Sequence, residues 1–334
     1  MPENKNKYLL GDIGGTYARF AVSDGLRFSK ESVYECRDYN DPAVAIRQYL
    51  DSIDQKSRPE TAVFCVAGPV KSDEIDVINN HWNFSQKALK DSLSLERLHC
   101  LNDFEALALA IPEMDESSIK SLDADDNKRK EKNPSYPLVV IGPGTGLGTA
   151  ILKPVSSVSG LTYLTIAGEG GHVDIPINSK EEFDIVSLVK EEKEFCDAET
   201  LCSGPGLETL HKAIARYKEN ENHNSAGRLQ ASEISQKAIE NSCPICVETM
   251  HFMFRTLGRV SGNLALTANA FGGVYLAGGV IKKLEDNIHI FADSFRRGFT
   301  DKGRYGSYLK DIPIFTVNHP FPAFIGLQAY LRSE

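Results

Sequence analysis

Two stretches of the sequence set a glycine cluster and a threonine between apolar runs: YLLGDIGGTYARFAV at 8–22 and LVVIGPGTGLGTAIL at 138–152. Closely spaced glycines let backbone N–H groups approach an anion that side chains would otherwise block. Three phosphate-binding architectures compete for this pattern. A P-loop needs Gly-Lys-Ser/Thr, but Leu147 follows Gly146 and Thr149 follows Gly148, so it is excluded. A Rossmann turn from Gly144 and Gly146 needs a third glycine at 149 and then a helix. That position is Thr149, and β-branched strand material follows it. The third is a strand–turn–strand hairpin whose turn amides and threonine hydroxyl, at Thr16 and Thr145, hold phosphates. One such turn alone reads as an ordinary tight hairpin. A second one 131 positions on (Gly11 against Gly142), with Asp12 in the first, shifts the balance toward a nucleotide. Asp12 can hold a magnesium ion through water, since that ion keeps much of its hydration shell.

A further acid stands where a strand becomes a helix. LERLHCLNDFEALALAIP reads strand, turn, helix, with Phe104, Leu107, Ala108 and Ile111 at helical spacing and Pro112 as the stop. Asp103 at that junction fits a first-turn acid favouring the helix dipole, and Asn102 with Glu105 fits a capping-box-like pair. A catalytic carboxylate fits the same position. Glu169-x-x-His172 has the look of metal ligands, but no second Glu or His cluster supports that reading.

The elements that carry these residues alternate. Residues 8–22 and 138–152 read as hairpins and TAVFCVAGPV (61–70) as a buried strand. IAGEGGHVDIP is a glycine-rich loop, followed by two helical stretches split by SGPG (203–206). A long amphipathic stretch covers 231–269. FGGVYLAGGVIKKL reads strand, paired glycines, helix, and the end of the chain reads strand, loop, helix. The class is α/β. The polar stretch from Met114 to Pro137 is the first candidate boundary.

GDIGGTYARF, GPGTGLGTA and LAGGV resemble the two phosphate motifs and the adenosine motif of the sugar kinase, Hsp70 and actin superfamily. LNDFEALALAIP, GEGGHVDIP, CDAETLCSGPGLETL and DKGRY together resemble the bacterial-type glucokinase family. The resemblance runs from about Tyr8 to the last helix. It implies two related lobes of ribonuclease H-like, actin-like ATPase fold with ATP in an interlobe cleft. The small lobe is expected at 1–113 plus 315–334 and the large lobe at 114–314. It implies an ATP-dependent glucokinase that phosphorylates the 6-hydroxyl of D-glucose, with magnesium, as a homodimer. Alternatives are a kinase for mannose or fructose and a sugar-independent ATPase. Asp103 becomes the general base, and Asn102, Asp103, Glu169, His172 and Glu199 the sugar-binding set. Glu199 otherwise reads as a first-turn acid after Asp197. Gly11, Asp12, Ile13, Gly14, Gly15, Thr16, Thr145, Gly146, Gly278 and Gly279 bind ATP. Asn79 and Trp82 fall near the sugar, although Trp82 equally suits a core. The family usually has Asn after Gly-Gly-Thr where this chain has Tyr17. A related branch carries a cysteine-rich zinc motif after its Gly-Glu-His-Gly-His segment. After His172 no cysteine occurs before Cys196, so no structural zinc is expected.

Bulk properties bound the rest. The 334 residues suit two domains. A formal charge of −9 argues against a nucleic-acid surface; the basic run 127–132 follows an acidic one and reads as a solvated loop. Seven residues before the first apolar run fit neither a signal peptide nor a helix-turn-helix, so a sugar-responsive regulator is disfavoured. No segment approaches the roughly 20 apolar residues of a membrane span, and the expected compartment is the cytoplasm. Seven cysteines fit reduced thiols. Cys243-Pro-Ile-Cys246 lacks a second pair to complete a zinc site and reads as a helix start.

Overall fold

The computed structural model describes residues 7–54, 58–123, 133–157, 160–218 and 229–333. The N-terminal residues before Lys7 and the basic run 127–132 lie outside them. The chain forms two compact units. One comprises Met1–Asp115, Ser156–Ala167 and His319–Glu334, the other Glu116–Val155 and Gly168–Asn318. Among the described residues no helix is long and apolar enough to cross a membrane.

In the first unit β1 (Tyr8–Ile13) and β2 (Tyr17–Ser23) form the first hairpin, with Asp12 opposite Arg19. β3 (Phe28–Glu35) pairs antiparallel with β2. Next comes α1 (Pro42–Ser52), capped by the Asp41 carboxylate on the Val44 N–H. β4 (Thr61–Val66), buried at all six positions, lies parallel to β1. A short ribbon, β5 (Glu74–Asp76) and β6 (Asn83–Ser85), leads to α2 (Gln86–Ser92). β7 (Arg97–Asn102) lies parallel to β4 and runs straight into α3 (Asp103–Ala110). The unbroken apolar character of β4 follows from burial on both faces. Phe64 joins Leu9, Phe20, Tyr49 and Trp82 on one side of the sheet, while Val63 joins Leu10, Ala21, Phe324 and Leu327 on the other.

The second unit contains β8 (Ile119–Ser121), inside the polar stretch expected as a boundary; it pairs antiparallel with a strand near the end of the chain. β9 (Leu138–Pro143) and β10 (Leu147–Ser157) form the second hairpin, and β11 (Gly160–Gly168) pairs on in the same sheet although its residues up to Ala167 are grouped with the first unit. Ile166–Gly168, expected as loop, therefore close a strand. Helices α4 (Lys180–Glu192), α5 (Ala198–Leu201) and α6 (Gly204–Lys218) come next. SGPG does not simply interrupt them, because Gly204 already opens α6. The stretch 231–269 is two helices, α7 (Ala231–Ile239) and α8 (Pro244–Ala268). Asn241 in left-handed conformation and Pro244 at the first helical position break the continuity. β12 (Gly273–Leu276), α9 (Gly278–Lys283), α10 (Ala292–Thr300), α11 (Gly306–Lys310) and β13 (Ile314–Val317) complete the unit. α12 (Pro322–Ser333) belongs to the first unit and packs on α3.

The two sheets repeat one strand order. The first is β3-β2-β1-β4-β7 and the second β11-β10-β9-β12-β13 with β8 at its edge. In each, a hairpin's first strand is flanked by two later parallel strands. The repeated glycine turns thus occupy equivalent places in two like sheets. The expected lobe limits put 315–334 together, whereas β13 is a strand of the second sheet; the first unit also takes in 156–167.

Candidate active site

In the first unit the chemistry gathers at the carboxyl ends of three parallel strands, where open α/β sheets present ligand sites. Asp12 on β1 is in register with Cys65 on β4, and Val66 with Asn102 at the end of β7. Asp103 is the next residue and opens α3. Asn102 caps that helix, its Oδ1 accepting the N–H groups of Phe104 (2.9 Å) and Glu105 (3.2 Å), while its Nδ2 donates to the Gly68 carbonyl. The capping-box expectation fails at its second half. The Glu105 carboxylate accepts the Thr165 hydroxyl at 2.5 Å instead of turning back to Asn102. The Cys65 thiol lies 3.8 Å from Asp12 Oδ1, and burial, then the negative charges of Asp12 and Asp103, push it well up.

The first glycine turn is braced from outside. Gly14 N–H donates to Tyr17 O, Asn80 Nδ2 to Gly14 O, and Cys36 N–H to Thr16 O. Gly15 lies against the carbonyls of Ile78 and Asn79. Thr16 is exposed, Ile13 is buried in the core, and Gly11 lies against the Phe64 ring. Asp12 Oδ2 accepts from Arg19 Nη1 at 2.8 Å, and the Arg19 guanidinium stands 6.0 Å from the centre of the Tyr17 ring. Arg19 and Asn80 were not singled out in the sequence. Hairpin register alone could have found Arg19 opposite Asp12. Trp82 is a core residue, its Nε1 donating to Tyr39 O.

In the second unit the other glycine turn meets both remaining motifs. Gly144 N–H donates to Gly146 O and its carbonyl accepts Gly204 N–H. A Cβ on Gly144 would sit 3.8 Å from Gly279 N, so the expected adenosine glycines border this turn. Gly278 has φ +87°, and a Cβ there would lie 2.6 Å from Pro143 O; only glycine fits. Thr145 is exposed at the turn's tip. Glu199 Oε2 accepts the Leu147 N–H at 2.8 Å, and a Cβ on Gly146 would strike the same carboxylate. Glu199 is therefore tied to the hairpin and is more than a first-turn acid.

Glu169 and His172 flank a single turn in which His172 N–H donates to Glu169 O. Thr149 anchors that turn from β10: its hydroxyl donates to Gly168 O and accepts Gly170 N–H. His172 Nδ1 lies 2.7 Å from Asp197 Oδ2 and its Nε2 3.9 Å from Glu199 Oε2. The hydrogen bond that His172 donates to Asp197, with the charges of Glu199 and Glu169, raises the His172 pKa against its partial burial. Burial acts upward on Asp197, but Thr200 and His172 outweigh it and hold its carboxyl low. Asp197, missed in the sequence as a site residue, also closes a capping box with Thr200. One residue thus starts α5 and orients the imidazole. The first unit brings together Gly11–Thr16, Asn102 and Asp103; the second brings together Thr145, Gly146, Gly278, Gly279, Glu169, His172 and Glu199.

Comparison with known proteins gives the family and the fold. The glucokinase family profile matches residues 9–334. A glucokinase of Yersinia enterocolitica is 36% identical over 333 residues, 98% of this chain and 96% of that protein. The crystal structure of a glucokinase from an Antarctic psychrotroph superposes with a TM-score of 0.80 at 28% identity, covering 98% of this chain and 99% of the other. A glucokinase from Balamuthia mandrillaris in complex with glucose shares the fold at a TM-score of 0.78 and 23% identity, covering 98% of this chain and 94% of that one. The fold is the actin-like ATPase fold of sugar kinases, and the chain belongs to the glucokinase family.

Proposed function

We propose that this chain transfers the γ-phosphoryl group of ATP to the 6-hydroxyl of D-glucose, with Asp103 as general base. The observation that carries the assignment is the place of Asp103, at the first position of α3 where a capped helix start meets the carboxyl end of the sheet, two strands from Asp12. Phosphoryl transfer asks the protein mainly for positioning and charge stabilisation, together with a group that accepts the hydroxyl proton. The Asp103 carboxylate takes that proton as O6 bonds to the γ-phosphorus. The bond from phosphorus to the bridging oxygen breaks, and ADP leaves. Asn102, Glu169, His172 and Glu199 bind the sugar hydroxyls; carboxylates, an amide and an imidazole supply both donors and acceptors for them. Gly11–Thr16, Thr145, Gly146, Gly278 and Gly279 hold ATP through backbone N–H groups and two hydroxyls.

Asp12 offers carboxylate oxygens, the donor type magnesium prefers, but one of them already accepts from Arg19. The fit is to a hydrated ion held through water. Held there with ATP, such an ion would supply charge neutralisation at the phosphates. A homodimer in the cytoplasm completes the reading, and light scattering on the purified chain tests the dimer.

The deciding experiment is magnesium-dependent ADP release with and without glucose, for the native chain and Asp103→Ala. Expected is glucose-dependent turnover that falls about 10²–10⁴-fold in the variant. Equal ATP consumption without sugar would return Asp103 to the role of a first-turn acid favouring the helix dipole, and faster turnover with mannose or fructose would reassign the substrate.

A further inference from the structure

Away from these residues, three ligand-type side chains converge where α8 begins against α6. Cys243 is the N-cap of α8, and its Sγ accepts the Cys246 N–H at 3.4 Å. This puts both thiols on one helical turn. His211 reaches the same point from α6, and a ring nitrogen of it and the two sulfurs all lie within 4.8 Å of one another. His211 is only 4% exposed, and its buried Nε2 has no hydrogen-bond partner among the described residues. An unsatisfied buried polar group costs about 1–3 kcal/mol. Among the described residues the only other buried side-chain nitrogen or oxygen in that condition is Arg259 Nε. An imidazole buried beside two sulfurs, with no oxygen to satisfy it, has the donor set of a soft-metal site.

We infer that Cys243, Cys246 and His211 form a binding site for a thiophilic divalent cation, zinc foremost, with water as fourth ligand. Zinc bonds of about 2.3 Å to sulfur and 2.0–2.1 Å to nitrogen give tetrahedral edges of about 3.5–3.8 Å. Side-chain rotations of about 1 Å close the set to those edges. Cys246 is buried and Cys243 half-buried, so the ion forms at the edge of the core with room for water on the Cys243 side. Binding displaces both thiol protons to solvent and joins two thiolate sulfurs and a neutral imidazole to one ion, which pins α6 to the first turn of α8. Along the sequence no second cysteine pair accompanies Cys243 and Cys246. The third ligand lies 32 positions upstream on another helix, where spacing rules do not reach.

The test uses the full chain, reduced and stripped of metal, titrated with zinc by calorimetry and with cobalt by absorption. Expected are one ion per chain, a thiolate-to-cobalt charge-transfer band, about two protons released per ion, and a melting temperature raised by zinc. Cys243→Ser, at a half-buried position, and His211→Gln each weaken uptake at least about tenfold while glucose-dependent ADP release stays unchanged, which certifies the fold. If His211→Gln fails to fold, Cys243→Ser decides alone. The proposal is overturned if the native chain takes up no zinc, or if the variants bind as tightly as the native chain. A Cys243–Cys246 disulfide whose formation zinc does not slow would also overturn it, in favour of a redox pair.

Discussion

His172 is held between two carboxylates with opposite duties. Asp197 orients the ring through Nδ1 while Glu199 is tied to the Leu147 N–H and faces Nε2. The His172 pKa is raised, so the stabilisation it gives is complete below its unfolded value and is lost as pH rises through the folded one. The Asp197 pKa is lowered, so its share is present above the unfolded value and lost as pH falls through the folded one. The stability difference between the native chain and Asp197→Asn is therefore expected to peak between those two limits, as measured by urea denaturation across pH. NMR titration of His172 should show its pKa falling in Asp197→Asn; an unchanged titration would mean that the hydrogen bond does not set it. Gly146→Ala is expected to displace Glu199, because the added methyl carbon meets its carboxylate. Its signature is a weakened affinity for glucose, measured by equilibrium binding without ATP.

At the scale of elements, two close packings hold the scaffold. α12 lies so near α3 that a Cβ on Gly326 would fall 1.7 Å from Ala106 O. Backbone oxygen cannot rotate away, so Gly326→Ala is expected to destabilise by about 1–3 kcal/mol or more, read as a lowered melting temperature. Because α3 carries Asp103, activity should fall with it. In the second unit α4 and α8 share a buried charge cluster: Glu182 pairs with Arg259 at 2.8 Å and Arg255 at 3.1 Å, and Arg259 also reaches Asp301. Glu182→Ala leaves Arg259 buried with less compensation, at a cost of about 3–5 kcal/mol. The paired change Glu182→Met with Arg259→Met should recover much of it. A double variant as unstable as the single one would count against the desolvation account.

Over the whole molecule the seven cysteines give a reporter of folding. Burial pushes the Cys100 thiol up to about 12 and Cys196 up to about 11, and raises Cys36, Cys65 and Cys202 as well. For Cys243, burial acts upward but is outweighed by the Cys246 thiol, then by the N–H groups of Cys246 and Ile245, which hold its thiol below the usual value. A thiol reagent at neutral pH is expected to modify Cys243 quickly in the native, metal-free chain and all seven only after unfolding. Rapid reaction of Cys65 or Cys202 in the native state would contradict the packing of their units.

The sequence by itself determined the elements whose causes are local. Both glycine hairpins, the buried strand at 61–66, the strand-to-helix junction at Asp103 and the Gly-Gly start of α9 were legible, because alternation, turn chemistry and capping act over a few residues. The motifs together were specific enough to point to the family and to its expected site residues. What only the tertiary structure decided are the long-range meetings. Asp197 reads as a helix cap until the fold sets it against His172. Glu105 reads as half of a capping box until Thr165 claims its carboxylate, and β8 is polar chain until β13 gives it a partner. His211 and the Cys243–Cys246 turn lie on different helices, joined by packing alone. Such contacts depend on how separate elements fill one core, and no periodicity along the chain encodes that distance.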